Sequence, residues 1–384
     1  MGLAPQKREP IFYAFLCAQS CANALRLGAG SIYTSCNRLE RVGDMLRIAI
    51  DAMGGDHSPD EIVAGAVSAL QANARLSVQL VGPEQPLEAL LASVAADVRE
   101  RIAIVPALEV IDNDEAPAMA VRRKKDASIV VATRLLKEGK ADGLLTAGST
   151  GAFMAAGLLI LGRLPGVQRP ALAPILPTVD GQGVVLLDVG ANMDATPEHL
   201  QQYAVMGAIY AEQVLGRATP RVGLLNVGSE PGKGNELTKE AYQLLAKQPL
   251  NFIGNVEARD LLTGQADVVV TDGFVGNVVL KFMEGMALSL FDMLKVEYTS
   301  DLRGKLGAGL LRPGLRRFKR NLDYSEYGGA PLLGVKLPMI KCHGSSQRKA
   351  IHNGIGQAIS FIESRAGEVI SNAITKPVEL EEVE

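Results

Sequence analysis

A chain of 384 residues with 47% hydrophobic content is long enough for one large α/β domain or two lobes on a shared core, and that content excludes disorder as its resting state. A net charge of −3 excludes bulk nucleic-acid binding, which needs a clear basic excess. An aromatic content of 4% with no tryptophan excludes a stacking surface for sugars or bases.

Residues 1–44 stand apart. Lys7 and Arg8 precede the apolar run IFYAFLCA, and Ala22-Asn23-Ala24 resembles the small-residue cleavage site of a signal peptide. The simpler reading is preferred: MLRIAIDAMGG begins a strand at once from Met45, so residues 1–44 are an N-terminal extension outside the fold. Three of the four cysteines, Cys17, Cys21 and Cys36, lie in that extension. Cys342 has no disulfide partner in the remainder, and no zinc-ligand spacing is present, which fits a reducing compartment.

From Met45 onward short apolar runs alternate with longer amphipathic ones. RIAIDA (47–52) predicts a strand, and 59–74 a helix capped by Ser58 with Pro59 in its first position. Strands at 77–82 and 102–107 flank a helix near 86–97, and a long helix is predicted over 116–138. Residues 144–162 carry no charge, but Gly148-Ser149-Thr150-Gly151 divides them into a buried strand, a turn and an apolar helix, not a membrane span. Strands at 184–190, 222–228 and 268–273 follow, with helices from 197, 235 and 277. Strands apolar on both faces, alternating with helices, predict an α/β fold with a mainly parallel sheet flanked by helices.

Five strands end in small, polar, glycine-bearing loops: DAMGGDH, TAGSTG, DVGANMD, NVGSEPGKG and TDGFVGN. Ligands of parallel sheets bind beyond the carboxyl ends of the strands, where glycine admits close backbone approach and helix N-termini favour anions. NVGSEPGKG is not a nucleotide P-loop, because three residues, not four, separate Gly228 from Gly232 and Lys233 is followed by Gly234. Lys233 is the only lysine on the five loops and can meet a phosphate or a polarised carbonyl as a compact charge. Asp272 and Asn277 frame DGFVGN, and Gly54, Gly55, Asp56, Ser149, Thr150, Asp188, Asn192 and Asn235 line the same set of loops. Each has a plain structural reading as a turn former or helix cap. Together they suit a small oxyanion and a carbonyl.

After Phe282 the character changes. Residues 283–322 predict a helical hairpin, and between Asp301 and Asp323 seven Lys/Arg occur without an acid. Leu306, Leu310, Leu311 and Leu315 are interleaved with them beside Arg312 and Arg316, as in a segment that touches an anionic membrane or an acidic partner. A dimer contact or a solvated basic face is the alternative. The run RRKK at 122–125 could equally meet an acidic partner or form a solvated face, and residues 371–384 form an acidic C-terminal tail.

The sequence lacks a G-x-S-x-G elbow, an H-E-x-x-H motif and a G-x-G-x-x-G fingerprint. What it does contain is MLRIAIDAMGGDHSP, AVRRKKDAS, TAGSTGA, LLDVGANMDATPEHLQQYAVMG, PRVGLLNVGSEPGKGNELTK, DVVVTDGFVGNVVLK and IKCHGSS, in that order. From Met45 to about residue 365 this closely resembles the phosphate acyltransferase family. One departure is Ser149, where the family's loop usually has Asn. Either can hydrogen-bond a substrate oxygen, so only that residue's role is in question.

The resemblance implies an isocitrate/isopropylmalate dehydrogenase-like fold over residues 45–370, in a homodimer, with neither metal nor cofactor. It implies transfer of a fatty acyl group from acyl carrier protein to inorganic phosphate, giving acyl phosphate for a membrane glycerol-3-phosphate acyltransferase. It further implies a cytoplasmic protein in peripheral contact with the membrane. In that reading Lys233 holds the phosphate or the developing oxyanion, and Asp272 and Asn277 orient the groups. A covalent acyl-lysine step through Lys233, which needs a depressed lysine pKa, is the open alternative. Two rivals stand beside it: a metal-dependent decarboxylating dehydrogenase, and a non-enzymatic scaffold for carrier protein.

Overall fold

The computed structural model describes residues 45–322 and 324–375, excepting the side chains of residue 302 and residues 315–325. The expectations for residues 1–44 and for the tail beyond 375 lie outside the described residues.

Twelve strands among the described residues form two sheets, where the sequence suggested one. They are β1 (Leu46–Asp51), β2 (Leu76–Gly82), β3 (Ile102–Pro106), β4 (Gly143–Thr146), β5 (Ala171–Leu172), β6 (Ile175–Leu176), β7 (Val184–Leu187), β8 (Arg221–Asn226), β9 (Asn251–Glu257), β10 (Val268–Val270), β11 (Ala330–Leu333) and β12 (Met339–Lys341). The first sheet runs β3-β2-β1-β4-β12-β11-β5 and the second β6-β7-β10-β8-β9. Pairing is parallel except where β11 meets β12 and β5, and where β6 meets β7. The central strands β4, β7 and β10 are buried at every position, as helices on both faces require. Short strands such as β5, β6 and β12 escaped the sequence reading because two or three residues carry no periodicity.

The five glycine loops are consequently divided between two edges. DAMGGDH and TAGSTG follow β1 and β4 in the first sheet, and the other three follow β7, β8 and β10 in the second. The predicted helix over 116–138 is two helices, Pro117–Arg123 and Ser128–Lys137. Between them Lys124 Nζ is held by Val110 O at 2.8 Å and Glu115 Oε1 at 2.6 Å, which takes the chain out of helix. Ser58 does not cap the helix Asp60–Ala72; its hydroxyl donates to Met53 O and Gly55 O in the preceding turn. The helix expected from 277 starts earlier, at Gly273, and runs to Thr299. After Ser300 and Asp301 a second helix, Leu302–Leu322, contains Pro313.

One apolar core runs through both sheets, from Ile48, Ile50 and Leu80 to Leu187, Leu224 and Val270. Its polar tie is the buried Tyr210, whose hydroxyl accepts from Gln357 Nε2 at 2.9 Å while its ring meets Phe361 edge-on. A buried phenol without such a partner would forfeit the hydrogen bond it had in water.

The sheets join at Asp188, which is fully buried at the end of β7. Oδ1 accepts from Leu172 N of β5 at 2.9 Å and from Ala191 N at 3.1 Å. Oδ2 accepts from Asn192 N at 2.6 Å and Asn192 Nδ2 at 3.2 Å. Gly276 follows from this geometry, since a Cβ there would lie 2.0 Å from Asp188 O.

Burial pushes the Asp188 carboxyl up to about 6, against the pull of its donors. A folded-state value above the unfolded one, about 3.9, means that ionisation costs stability. That contribution is whole below about pH 4 and is lost as the pH rises through about 6. Denaturant unfolding of wild type and Asp188→Asn across that window should show a pH-dependent loss in the wild type that the variant lacks. Equal pH slopes would remove Asp188 as its source.

Candidate active site

On the second sheet, the end of β7 and the start of the helix Gly273–Thr299 are built into one another. Asp272 caps that helix by accepting Val275 N at 2.9 Å, and Gly273 N donates to Asn192 O at 2.9 Å. Asn192 Nδ2 also reaches Pro170 O at 2.6 Å. Asn277 lies within the helix, not at its cap, and its amide covers Gly190, whose φ of 95° glycine tolerates best. Asp188, Asn192, Asp272 and Asn277 are therefore brought together as one wall, with the positive end of a long helix dipole beside it.

Lys233 and Asn235 sit on the neighbouring β8 loop. Asn235 caps the helix Glu236–Ala246 through Thr238 N at 3.0 Å. The Lys233 main chain is fixed by Asn226 Nδ2 on its carbonyl at 3.1 Å, and its stem passes over Gly228. Its side chain is exposed, and no hydrogen bond or ion pair joins it to another candidate among the described residues. The loop fixes the main chain of the lysine without aiming its side chain.

On the first sheet, Gly54 and Gly148 approach so closely that a Cβ on Gly54 would meet Gly148 N at 2.5 Å. Asp56 N donates to Gly344 O at 2.8 Å, linking the β1 loop to the β12 loop. Ser149 caps the helix Thr150–Ala156 by accepting Ala152 N at 3.4 Å, and Thr150 is exposed at its start. Below them Asp51 accepts Thr146 Oγ1 at 2.7 Å and is bonded by Ser128. A small cavity lies over this group, lined by Asp51, Gly54, Ser128, Thr146, Gly148 and Ser149.

The residues that sequence reasoning passed over are those that join these parts. Burial raises the Asp51 carboxyl, while Ser128, Thr146, Met53 N and Lys341 oppose the rise. Lys341 is only 8% exposed. Its ammonium is held by Ala147 O and Cys342 O, and burial lowers it to about 8. Cys342 is no nucleophile, since burial pushes its thiol up to about 12. His343 meets Lys281 of the second sheet's long helix, Nε2 to Nζ at 3.4 Å. IKCHGSS and AVRRKKDAS were visible as motifs, but only the strand order β1-β4-β12 places Lys341, Thr146 and Asp51 side by side.

Leu306, Leu310, Leu311 and Arg312 are exposed on the helix Leu302–Leu322, within that helix and not at the break before it. The side chains of Leu315 and Arg316 lie outside the described residues. Among the described residues one helix, Gly273–Thr299, is long and apolar enough to cross a membrane.

Comparison with known proteins bears on the fold and the family. A family model described as fatty acid synthesis protein matches residues 46–368. Phosphate acyltransferase from Brevibacillus brevis is 54% identical over 331 residues, covering 86% of this chain and 98% of the relative. The enzyme of that name from Bacillus pumilus is 53% identical over the same coverage. Among solved structures, a phosphotransacetylase from Streptococcus pyogenes superposes with a TM-score of 0.56 at 18% identity, covering 85% of this chain and 95% of the other. A branched-chain phosphotransacylase from Enterococcus faecalis gives 0.53 at 17% identity, covering 83% and 99%. These two likenesses establish the α/β fold, and the close relatives establish the kinship: the chain belongs to the phosphate acyltransferase family and is a transferase.

Proposed function

We propose that this chain transfers a fatty acyl group from the phosphopantetheine thioester of acyl carrier protein to inorganic phosphate. The product, acyl phosphate, would serve phosphatidic acid and phospholipid synthesis. The observation that carries this reading is the wall of Asp188, Asn192, Gly273 and Asn277 at the head of a 27-residue helix. Asp188 and Asn192 brace that wall from within, and the positive end of the helix dipole with the Asn277 amide suits an anion.

The chemistry asks for little more. Phosphate is a nucleophile near neutral pH, and a thiolate with a pKa of about 8.5 is a fair leaving group. Holding phosphate in line with the thioester carbon, and placing donors where the oxyanion develops, supply most of the acceleration. Lys233, free to extend from the β8 loop, holds the phosphate or that oxyanion. Asp272 and Asn277 orient the groups, and the Gly54-Gly55-Asp56 and Ser149-Thr150 turns close the cradle. The two-sheet arrangement is read as isocitrate/isopropylmalate dehydrogenase-like, active as a cytoplasmic homodimer.

The same reading gives the two long helices a role as a protruding hairpin. Phe282, Met286, Leu288 and Met293 are exposed on the first, and Leu306, Leu310 and Leu311 on the second. Apolar side chains flanked by Arg and Lys suit peripheral contact with an anionic membrane, where a membrane glycerol-3-phosphate acyltransferase would receive the product.

Mixed with long-chain acyl-carrier protein and orthophosphate, the protein should form acyl phosphate, seen by phosphorus NMR as a new resonance that hydroxylamine removes. Lys233→Ala should keep the fold and lose about 100-fold or more in turnover. Near-normal turnover would end the assignment of Lys233, and no product from the wild type would end the functional reading. Leu306, Leu310 and Leu311 changed together to Ser should abolish co-flotation with phosphatidylglycerol vesicles while leaving thiol release in solution intact. Unchanged flotation would place membrane contact elsewhere.

A further inference from the structure

Lys233 closes a turn whose two ends are each held by an asparagine. Its main-chain N donates to Glu230 O at 3.1 Å, which shapes the turn Glu230-Pro231-Gly232-Lys233. Glu230 O also accepts Asn255 Nδ2 of β9 at 2.7 Å, and Lys233 O accepts Asn226 Nδ2 of β8 at 3.1 Å. Asn226 is buried, and its Oδ1 accepts Val227 N at 2.8 Å, so its amide is oriented by its own strand end. The register of β8 and β9 sets Asn255 opposite Leu224, which puts both asparagines on one face of the sheet. Past the turn, Gly234 has a φ of 95° and no room for a Cβ, which would lie 2.5 Å from Asn226 Oδ1. The stem of Lys233 and the carboxylate of Glu230 both lie over Gly228, where a Cβ would meet Lys233 Cγ at 3.0 Å and Glu230 Oε2 at 2.9 Å.

One atom of this arrangement is destabilising. Asn255 Oδ1 is buried and meets no donor among the described residues. A buried acceptor left unmatched weakens the fold, so an amide is a poor choice at this position for stability alone. The hydrogen bond that its other end does make goes to the turn that carries Lys233.

We propose that Asn226 and Asn255 are positioning residues for the reaction, which fix the root of Lys233 beyond the carboxyl end of β8. This rests on the phosphate acyltransfer reading, in which Lys233 holds the phosphate or the developing oxyanion. With both ends of the turn pinned, only the side chain of Lys233 has freedom to lose when its ammonium meets an anion. A loose turn would add the freedom of the main chain to that loss. Neither asparagine touches the reacting atoms; each acts through the lysine, and a displaced root lowers the rate as misplacement of a catalytic group does.

The test reads kcat/KM for phosphate in phosphate-dependent thiol release. Asn226→Asp keeps the acceptor for Val227 N and removes the donor to Lys233 O. Asn255→Leu removes the donor to Glu230 O and the unmatched Oδ1 with it. Each should lower kcat/KM by about 10-fold or more. A double-mutant cycle separates positioning from a merely structural role: made in Lys233→Ala, the same substitutions should change the remaining rate by less than about two-fold. Undiminished kcat/KM in both asparagine variants overturns the proposal, and so does an equal loss with and without the lysine. If Asn226→Asp fails to fold, Asn255→Leu, at a half-buried site on β9, decides alone. Wild-type rates in Lys233→Ala would remove the lysine's assignment and the proposal with it, whereas a wild type without phosphate-dependent release would fail the functional reading itself.

Discussion

Asp188 accepts four N–H groups at the end of β7, and one of the four, Leu172 N, belongs to the edge strand of the other sheet. A buried carboxyl must be hydrogen-bonded or neutral, so this one residue fixes how the sheets meet and where Asn192 stands. Asn192 O in turn receives Gly273 N, which sets the start of the 27-residue helix. The helix then delivers Asn277 to Gly190 and Lys281 to His343. A shift at Asp188 would therefore propagate to both walls of the crevice.

The first sheet is organised around a related pair. Asp51 and Lys341 are both buried and lie within electrostatic reach of one another, with Thr146, Ser128 and two main-chain carbonyls completing their coordination. Removing either alone would leave buried hydrogen-bonding partners of the other side chain unmatched, which destabilises the interior. Such a foundation holds the glycine loops above it still. Preorganisation of this kind suits a reaction whose nucleophile and leaving group are already competent.

The alternation of apolar runs with helices made the α/β class legible, because both-face burial of β4, β7 and β10 leaves uninterrupted Leu and Val runs in the chain. The glycine loops were legible as ligand loops for the same reason that glycine is costly elsewhere. The division into two sheets was not. It depends on the two-residue strands β5 and β6, which leave no pattern. Nor could periodicity reveal the break at 124–127, which a tertiary bond from Lys124 to Val110 O imposes. Asp272 proved to be a helix cap, a role that sequence had already offered for it and for Asn277, which lies inside the helix instead; the cap at Asn235 is read from the structure. Lys341 and His343 lay inside a recognised motif, yet their significance is a matter of strand order and of a helix arriving from the other sheet.

The central claim is that phosphate itself attacks the thioester and that the protein positions it, with no acyl-enzyme between. Rapid mixing of the protein at substrate-level concentration with acyl-carrier protein, without phosphate, tests this most directly by following free thiol. Direct attack predicts no release until orthophosphate is added, then one thiol for each acyl phosphate formed. A phosphate-independent burst of thiol matching the enzyme concentration would contradict it and establish a covalent acyl-enzyme.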